Sequence, residues 1–450
     1  MESATETTRG VLSRRTVLKG LAGAGLVSLP ALLGACDAGR LPSGSPAIAP
    51  SAPASAPVPS TSRPSPTPAA GLTLATIFPG GFERLIDAFT QETQISVKVR
   101  TEDAASFQDT IIPYLQASPE DVFSWGAART RNLANQGLVT EIDDVWSSVA
   151  GHFPELALEG ATATDHHQYF MPIAAYAWAF FYRPSLFEER GYAVPSTWAD
   201  FKKLAARMQK DGLVPIAMGD AELFEAMGTF DALDLRQNGC AFHLRLLAGS
   251  ERWTDPKVRD VFERWREITP YTQPGATGRS FGEAATDVMD KKAGMYLMGT
   301  EIMLGSGVVD DLDIFPFPNV GTAWDAEGSF DLAVDGFAVS RNSPTLADHA
   351  DNARAFIEFL AKGSTQTMFS ADQIGSIALA NDADTSGYNR VQKKVQAMLG
   401  SAKRVAEFLD RDSDPRFTYQ LGPALQDFLA DPNQDLDAFL TKVQGFWDNR

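Results

Sequence analysis

The side chains that most readily act as metal ligand, general base or nucleophile are scarce. There are five histidines, His152, His166, His167, His243 and His349, and two cysteines, Cys36 and Cys240. No H-E-x-x-H pair and no G-x-S-x-G elbow is present. His166 and His167 are adjacent, so their side chains do not naturally converge; a polar loop fits them better than a metal site. Asp382-Ala383-Asp384-Thr385-Ser386-Gly387 matches the first half of an EF-hand loop, but its twelfth position is Lys393 rather than Glu, which opposes calcium. Asp410-Arg411-Asp412-Ser413-Asp414 fails where a glycine is required, with Pro415 there instead; both segments read as turns. Cys240, near Phe242 and Leu244, reads as a buried inert thiol. The 57 acidic residues leave room for two carboxylates across a cleft, yet no spacing singles out a pair. No catalytic residue, metal or cofactor is assigned on these grounds.

A different chemistry is written at the start of the chain. Ser13-Arg14-Arg15-Thr16-Val17-Leu18-Lys19 is a twin-arginine export signature, with Val17 where Phe is commoner. The uncharged run Leu21 to Ala35 is too short to cross a membrane comfortably. Leu33-Gly34-Ala35-Cys36 resembles the lipobox of bacterial lipoproteins, whose cysteine becomes the lipidated first residue. Residues 1–35 are therefore expected to be a signal peptide, and Cys36 the lipid attachment at the outer face of the cytoplasmic membrane. Cys240 is then left without a disulfide partner. Residues 36–70 read as a tether: 41–70 contain nine prolines and a single charge, Arg63. Thirty such residues reach about 90 Å if extended and about 30 Å if flexible.

With 450 residues and 44% hydrophobic side chains, the chain has enough material for two or three domains and a large core. Its formal charge is -18, and about -20 without the basic leader. That acidity argues against nucleic acid as a partner and against charge-driven docking on anionic lipid. The folded body is expected from Leu72. Leu72 to Phe78 reads as a strand broken by Pro79-Gly80-Gly81, and Phe82, Leu85, Ile86 and Phe89 mark one face of a helix. Strands follow at 95–99, 121–125, 214–218, 295–298 and 332–340, and a long apolar strand at 169–182 crosses between bodies. Helices are expected at 129–136, at 353–360, at 391–399 and after a Thr197 cap, with Trp198, Phe201, Leu204 and Met208 on one side. Strand-helix alternation implies an α/β fold with parallel pairings.

Several phrases in order resemble one family. Pro119-Glu120-Asp121-Val122-Phe123-Ser124-Trp125 is similar to its P-D-V-F-x-W strand, with Glu120 as an extra residue, and Asn135-Gln136-Gly137-Leu138 to the end of the following helix. Tyr169 to Ile173, Phe181 to Phe187 and Pro195 to Phe201 resemble the Y-G-V-P, W-Y-N-K-A-L-F and P-P-T-W-D-E-F phrases. Lys292 to Gly299, Asp335-Gly336-Phe337-Ala338-Val339 and Gly375-Ser376-Ile377 complete the set. Over residues 72–447 the chain thus resembles the extracellular solute-binding proteins of ABC importers, the carbohydrate-binding, maltose-binding-protein-like group. The resemblance implies a periplasmic-binding-protein-like fold of two α/β lobes with a hinge and an interlobe ligand cleft. By matching positions, lobe one is 71–174 plus 337–383 and lobe two 175–336 plus 384–450. Hinges fall near Ile173 to Ala175, Gly336 to Phe337 and Asp384 to Gly387. It also implies a guest that is a mono- or oligosaccharide, a permease partner with a separate cytoplasmic ATPase, and a monomer.

A sugar needs aromatic faces for its C–H surfaces and polar partners for its hydroxyls, because a buried unpaired hydroxyl costs about 1–3 kcal/mol. Trp125 ends a strand and precedes a helix, so it is a candidate for the cleft or for the core. Tyr176 and Trp178 share one side of the crossing strand, with Ala175, Ala177 and Ala179 opposite, and either side could be core. Trp324, in a polar loop, is a stacking platform or an exposed anchor. Among polar partners, Asp335 and Glu301 come first, with Gly336 as the hinge glycine, then Asp220 and Arg129; the alternative for each charge is a solvated group or salt bridge. A secreted carbohydrate-active hydrolase, or a receptor for a non-sugar solute, stays open as the alternative.

Overall fold

Burial on both faces shapes the two longest strands, and these organise the rest. The computed structural model describes residues 71–78, 82–305 and 309–450. The export signature, Cys36, the tether and the Pro79-Gly80-Gly81 break lie outside the described residues. Ten strands form: β1 Leu72–Thr76, β2 Val97–Thr101, β3 Val122–Gly126, β4 Val139–Thr140, β5 Met171–Tyr182, β6 Val214–Ala217, β7 Ala293–Gly299, β8 Asp313–Phe315, β9 Phe330–Ser340 and β10 Val405–Ala406. They run in the order β2-β1-β3-β9-β5-β7-β6, with β4 and β10 on β9 and β8 on β5.

Every residue of β5 and of β9 is buried, which is why both read as near-continuous apolar runs. Each strand serves two regions. Met171–Ala177 of β5 pair antiparallel with β9, whereas Trp178–Tyr182 pair with β7 and Phe180–Tyr182 also with β8. β9 in turn pairs with β10 at Phe330 and Asp331, with β5 over 332–337 and with β3 over 335–339. Parallel β1–β2, β1–β3 and β6–β7 pairs, with helical crossovers, fill the two ends. The register slips between Pro172 and Ala174, leaving Ile173 as a bulge. Gly336 faces that place: a Cβ there would lie 2.1 Å from the Met171 carbonyl oxygen and 2.6 Å from the Phe170 ring. Ala175 and Ile377 form a further antiparallel bridge.

One buried carboxylate ties β1 and β3 to the segment after β9. Asp121 accepts from the Thr73 amide at 2.9 Å and its hydroxyl at 2.8 Å, from Ser343 at 2.6 Å, from Thr345 at 2.7 Å, and pairs with His349 Nδ1 at 2.8 Å. Burial opposes its charge, but the bonds from Ser343, His349, Thr345 and Thr73 outweigh that and pull its pKa down to about 2.

The expected strands and helices form, with ends moved by a few residues; the 95–99 strand lies at Val97–Thr101 and the 353–360 helix at Leu346–Ala361. Thr197 caps its helix, accepting from the Asp200 amide at 3.2 Å. Helices at Ala104–Gln116, Glu225–Asn238, Cys240–Leu247, Pro256–Arg266, Phe281–Met289, Pro415–Ala430 and Leu436–Asp448 are additional to the pattern read from sequence. Among the described residues no helix is long and apolar enough to cross a membrane.

Candidate functional site

Where β9 passes between β3 and β5, small residues allow polar side chains to gather. Asp335 stands opposite Gly126 of β3 and Ala174 of β5. A Cβ on Gly126 would lie 3.8 Å from Asp335 Oδ1 and 3.9 Å from an Arg411 nitrogen, so bare backbone borders this pair. Arg411, in the short Leu409–Asp412 helix, donates to Asp335 at 2.9 Å. Glu407, just before that helix, accepts from the Val334 amide at 3.3 Å. Glu301 follows β7, and its carboxylate folds back over Gly299, where a Cβ would be 2.1 Å from Oε2. Gly299 is thus the residue that leaves room for it.

The rings adjoin these charges. Tyr176 is buried in β5, with the carboxylates of Asp335 and Glu301 and a hydrogen bond with Ser376 around it. Trp178, two residues on, lies across Gly228, whose missing Cβ would be 2.4 Å from the indole, and meets Phe408 edge-on at 5.2 Å. Trp125 packs edge-on to Phe107 at 5.3 Å, and the Arg129 guanidinium stands 5.8 Å from its ring centre.

Acidic groups outnumber basic ones here, and burial acts on their charge. Burial raises the pKa of Glu301, of Asp335 and of Glu407, the last to about 8, and Arg411 only partly offsets it. Burial likewise opposes the charge on Arg411, but Asp335, Glu407, Asp410 and Glu301 hold it firmly protonated. Burial first, then Asp335 and Glu301, keep the Tyr176 phenol protonated. Two polar atoms in this group, Nε1 of Trp178 and Oε2 of Glu301, are buried without a hydrogen-bond partner, as is Nε1 of Trp125 beside Phe107 and Arg129. Each such buried group costs about 1–3 kcal/mol if left unpaired.

The other sequence candidates have different settings. Arg129 donates through Nε to the Arg411 carbonyl at 3.1 Å and through its other arm to the Asp410 carbonyl, so it joins the Ala127–Asn135 helix to the Leu409–Asp412 helix. Asp220 sits in a second acidic group: its Oδ1 accepts from the Ala226 amide at 2.9 Å, and burial with the nearby Glu222 raises its pKa to about 6. Trp324 is 42% exposed, its ring lying over Gly239, 2.5 Å from where a Cβ would be. It covers the turn between two helices, and none of its contacts involves the ring-and-carboxylate group. Arg411, Glu407 and Phe408 were invisible as candidates; the one available signal is a phenylalanine flanked by charges in a stretch with no helical period.

The group is shut. Trp125, Tyr176, Trp178 and Asp335 are all at most 6% exposed. Surface hollows of about 520 Å³ beside His152, Lys362 and Asp382, and about 560 Å³ beside Lys202, Glu267 and Tyr271, share no lining residue with it. The described body is a single unit, and the ring-and-carboxylate group is closed within it. The physical reason is the seam of contacts from Arg129 to the Leu409–Asp412 helix, continued by Arg131 and Asp412 at 3.7 Å.

Known proteins share this arrangement of strands. The solute receptor AcbH, described as having an exclusive preference for β-D-galactopyranose, is 33% identical, with a TM-score of 0.79 over 84% of this chain and 97% of its own. A chitin oligosaccharide binding protein, 20% identical, shares the fold with a TM-score of 0.72 over 84% of this chain and 98% of its own. An uncharacterized ABC transporter extracellular-binding protein of Pyrococcus horikoshii is 25% identical over 296 residues, which are 64% of this chain and 65% of that relative, just under two thirds of its length. The model of the bacterial extracellular solute-binding proteins matches residues 75–366, from β1 through β9 and into the helices beyond it. A match over most of the folded body, together with the 33% identity to AcbH, shows that this chain belongs to the bacterial extracellular solute-binding protein family.

Proposed function

We propose that this chain is the lipid-anchored receptor of an ABC importer, which closes on a neutral mono- or oligosaccharide and hands it unaltered to a permease driven by a separate cytoplasmic ATPase. One observation carries the reading: the Trp178 indole N–H and a Glu301 carboxylate oxygen lie buried and unpartnered in the group formed with Tyr176, Asp335 and Arg411. Sugar hydroxyls donate to carboxylates and accept from indoles and guanidinium, and sugar C–H faces stack on rings. The surplus of carboxylates repels an anionic guest. The galactopyranose preference of AcbH makes a single hexopyranose the first guest to test.

In this reading the lobes are 71–174 with 337–383, and 175–336 with 384–450. The Ile173 bulge supports a hinge at Ile173 to Ala175, and the close passage at Gly336 supports one at Gly336 to Phe337; a third lies at Asp384 to Gly387. A guest favours the shut form only if it touches both lobes, and the ring-and-carboxylate group draws on both. The twin-arginine signature and the residues before Cys36 support export and lipidation there, with 36–70 as tether. The protein acts as a monomer and transforms nothing.

Calorimetric titration of the mature chain with a panel of mono- and oligosaccharides tests this. The expected result is one equivalent bound at micromolar affinity, about -8 kcal/mol, and recovered chemically intact. Silence across the panel, or a changed sugar, overturns it.

A further inference from the structure

Behind the Leu409–Asp412 helix lies a second polar cluster with no solvent contact. Asp231 and Asp234 come from the Glu225–Asn238 helix, His243 from the Cys240–Leu247 helix and Asp331 from β9; Asp231, Asp234 and His243 are 0% exposed and Asp331 is 1% exposed. His243 Nδ1 is 2.9 Å from Asp234 Oδ2, and the other Asp234 oxygen accepts from Asn238 at 2.7 Å. That pairing places a ring proton on Nδ1 and turns Nε2 toward Asp231. Nε2 is 3.7 Å from Asp231 Oδ1. Neither atom has a hydrogen-bond partner, nor has either oxygen of Asp331. Four buried polar atoms thus converge without a hydrogen-bond partner. Arg236 acts on Asp331, but Asp325 and Glu327 draw on it as well.

We propose that Asp231, His243 and Asp331 form a binding site for one divalent transition-metal cation of the zinc type, with Asp234 fixing the imidazole from behind. Their donor atoms all lie within 4.8 Å of one another. An ion ~2.1 Å from each donor spans pairs up to ~4.2 Å apart, so small side-chain rotations complete the set. One imidazole with two carboxylates suits zinc or manganese, whereas calcium and magnesium prefer oxygen throughout. A carboxylate on the far nitrogen is the usual support of a metal-bound histidine. The second oxygen of Asp231 accepts from the Leu409 amide at 2.9 Å. The ion would therefore brace the turn that carries Phe408 and Arg411 into the sugar site. Being sealed from solvent, it would be taken up as the chain folds.

The test uses the mature chain purified without a histidine tag or chelator, with metal content read by mass spectrometry. About one equivalent of zinc or manganese per chain is expected, falling below about a tenth in Asp331→Asn. A surface trio, Glu141, Asp143 and His167, is a second place where a metal could adhere. His167→Ala controls for it and should keep the full equivalent. Should Asp331→Asn fail to fold, cobalt substitution of the wild-type chain gives a variant-independent reading, with visible bands of a histidine-ligated ion expected. A metal-free wild type whose melting point zinc moves no more than that of Asp331→Asn overturns the proposal. So does metal that is lost with His167→Ala, or a cobalt form without those bands.

Discussion

Trp178 separates binding from packing at a single residue. Its ring is held by Gly228 and Phe408, while its N–H has no partner. Trp178→Phe keeps a ring of similar reach and removes only the donor. Sugar affinity should fall about tenfold, near 1.4 kcal/mol, with little change in melting temperature; calorimetry and a melting curve on the same sample check this. Equal losses in both would make the indole a packing residue alone. Arg411 behaves oppositely. Arg411→Met leaves Asp335 buried without its counter-charge, and breaking such a pair costs about 3–5 kcal/mol. Urea unfolding should show that loss, partly recovered by adding Asp335→Leu. Alternation along β5 and the Asp335-Gly336 phrase made Tyr176, Trp178 and Asp335 readable from sequence. Arg411 could not be read, because its partner is 76 residues away and its segment has no period.

At the scale of elements, buried strands announced themselves and buried helices did not. β5 and β9 are long apolar runs with few rival readings. The Glu225–Asn238 helix is buried at every residue but Gln237, so no apolar stripe sets one face apart. The order of elements was therefore legible in the strands, and much of the helical packing around them was not. Two predictions belong here. Gly336→Ala places a methyl against the Met171 carbonyl, where backbone rather than a side-chain tip must yield; a loss of about 3 kcal/mol in urea unfolding is expected. Asp121 sets the acid limit of the β1–β3 unit. Its folded pKa lies below its ordinary value of 3.8, so its stabilisation is full above that value and is lost as pH falls through about 2. Asp121→Asn should lower stability at neutral pH by about 2–3 kcal/mol. It should also flatten the fall in melting temperature between those two pH values, which a scan in stepped buffers reads directly.

For the molecule as a whole, the proposed reading requires the lobes to part before a guest can reach the shut ring-and-carboxylate group. Sugar should therefore reduce the radius of gyration measured by small-angle scattering and raise the melting temperature by mass action. An identical scattering profile with and without bound sugar would remove hinge closure from the reading. Cys36→Ser should release the protein from membranes into the soluble fraction, and membrane retention of that variant would remove lipidation.

The two long strands also limit how such a receptor can be rearranged. In the proposed division, β5 and β9 leave one lobe and enter the other while still paired to each other. Neither half owns a complete sheet, so no cut yields a piece that keeps its own edges covered. A recombination that imported one half from a cousin would have to bring both ribbons with it, register slip included. New guests are thus open to editing at the strand ends and in turns such as 405–412, but not to the exchange of halves as parts.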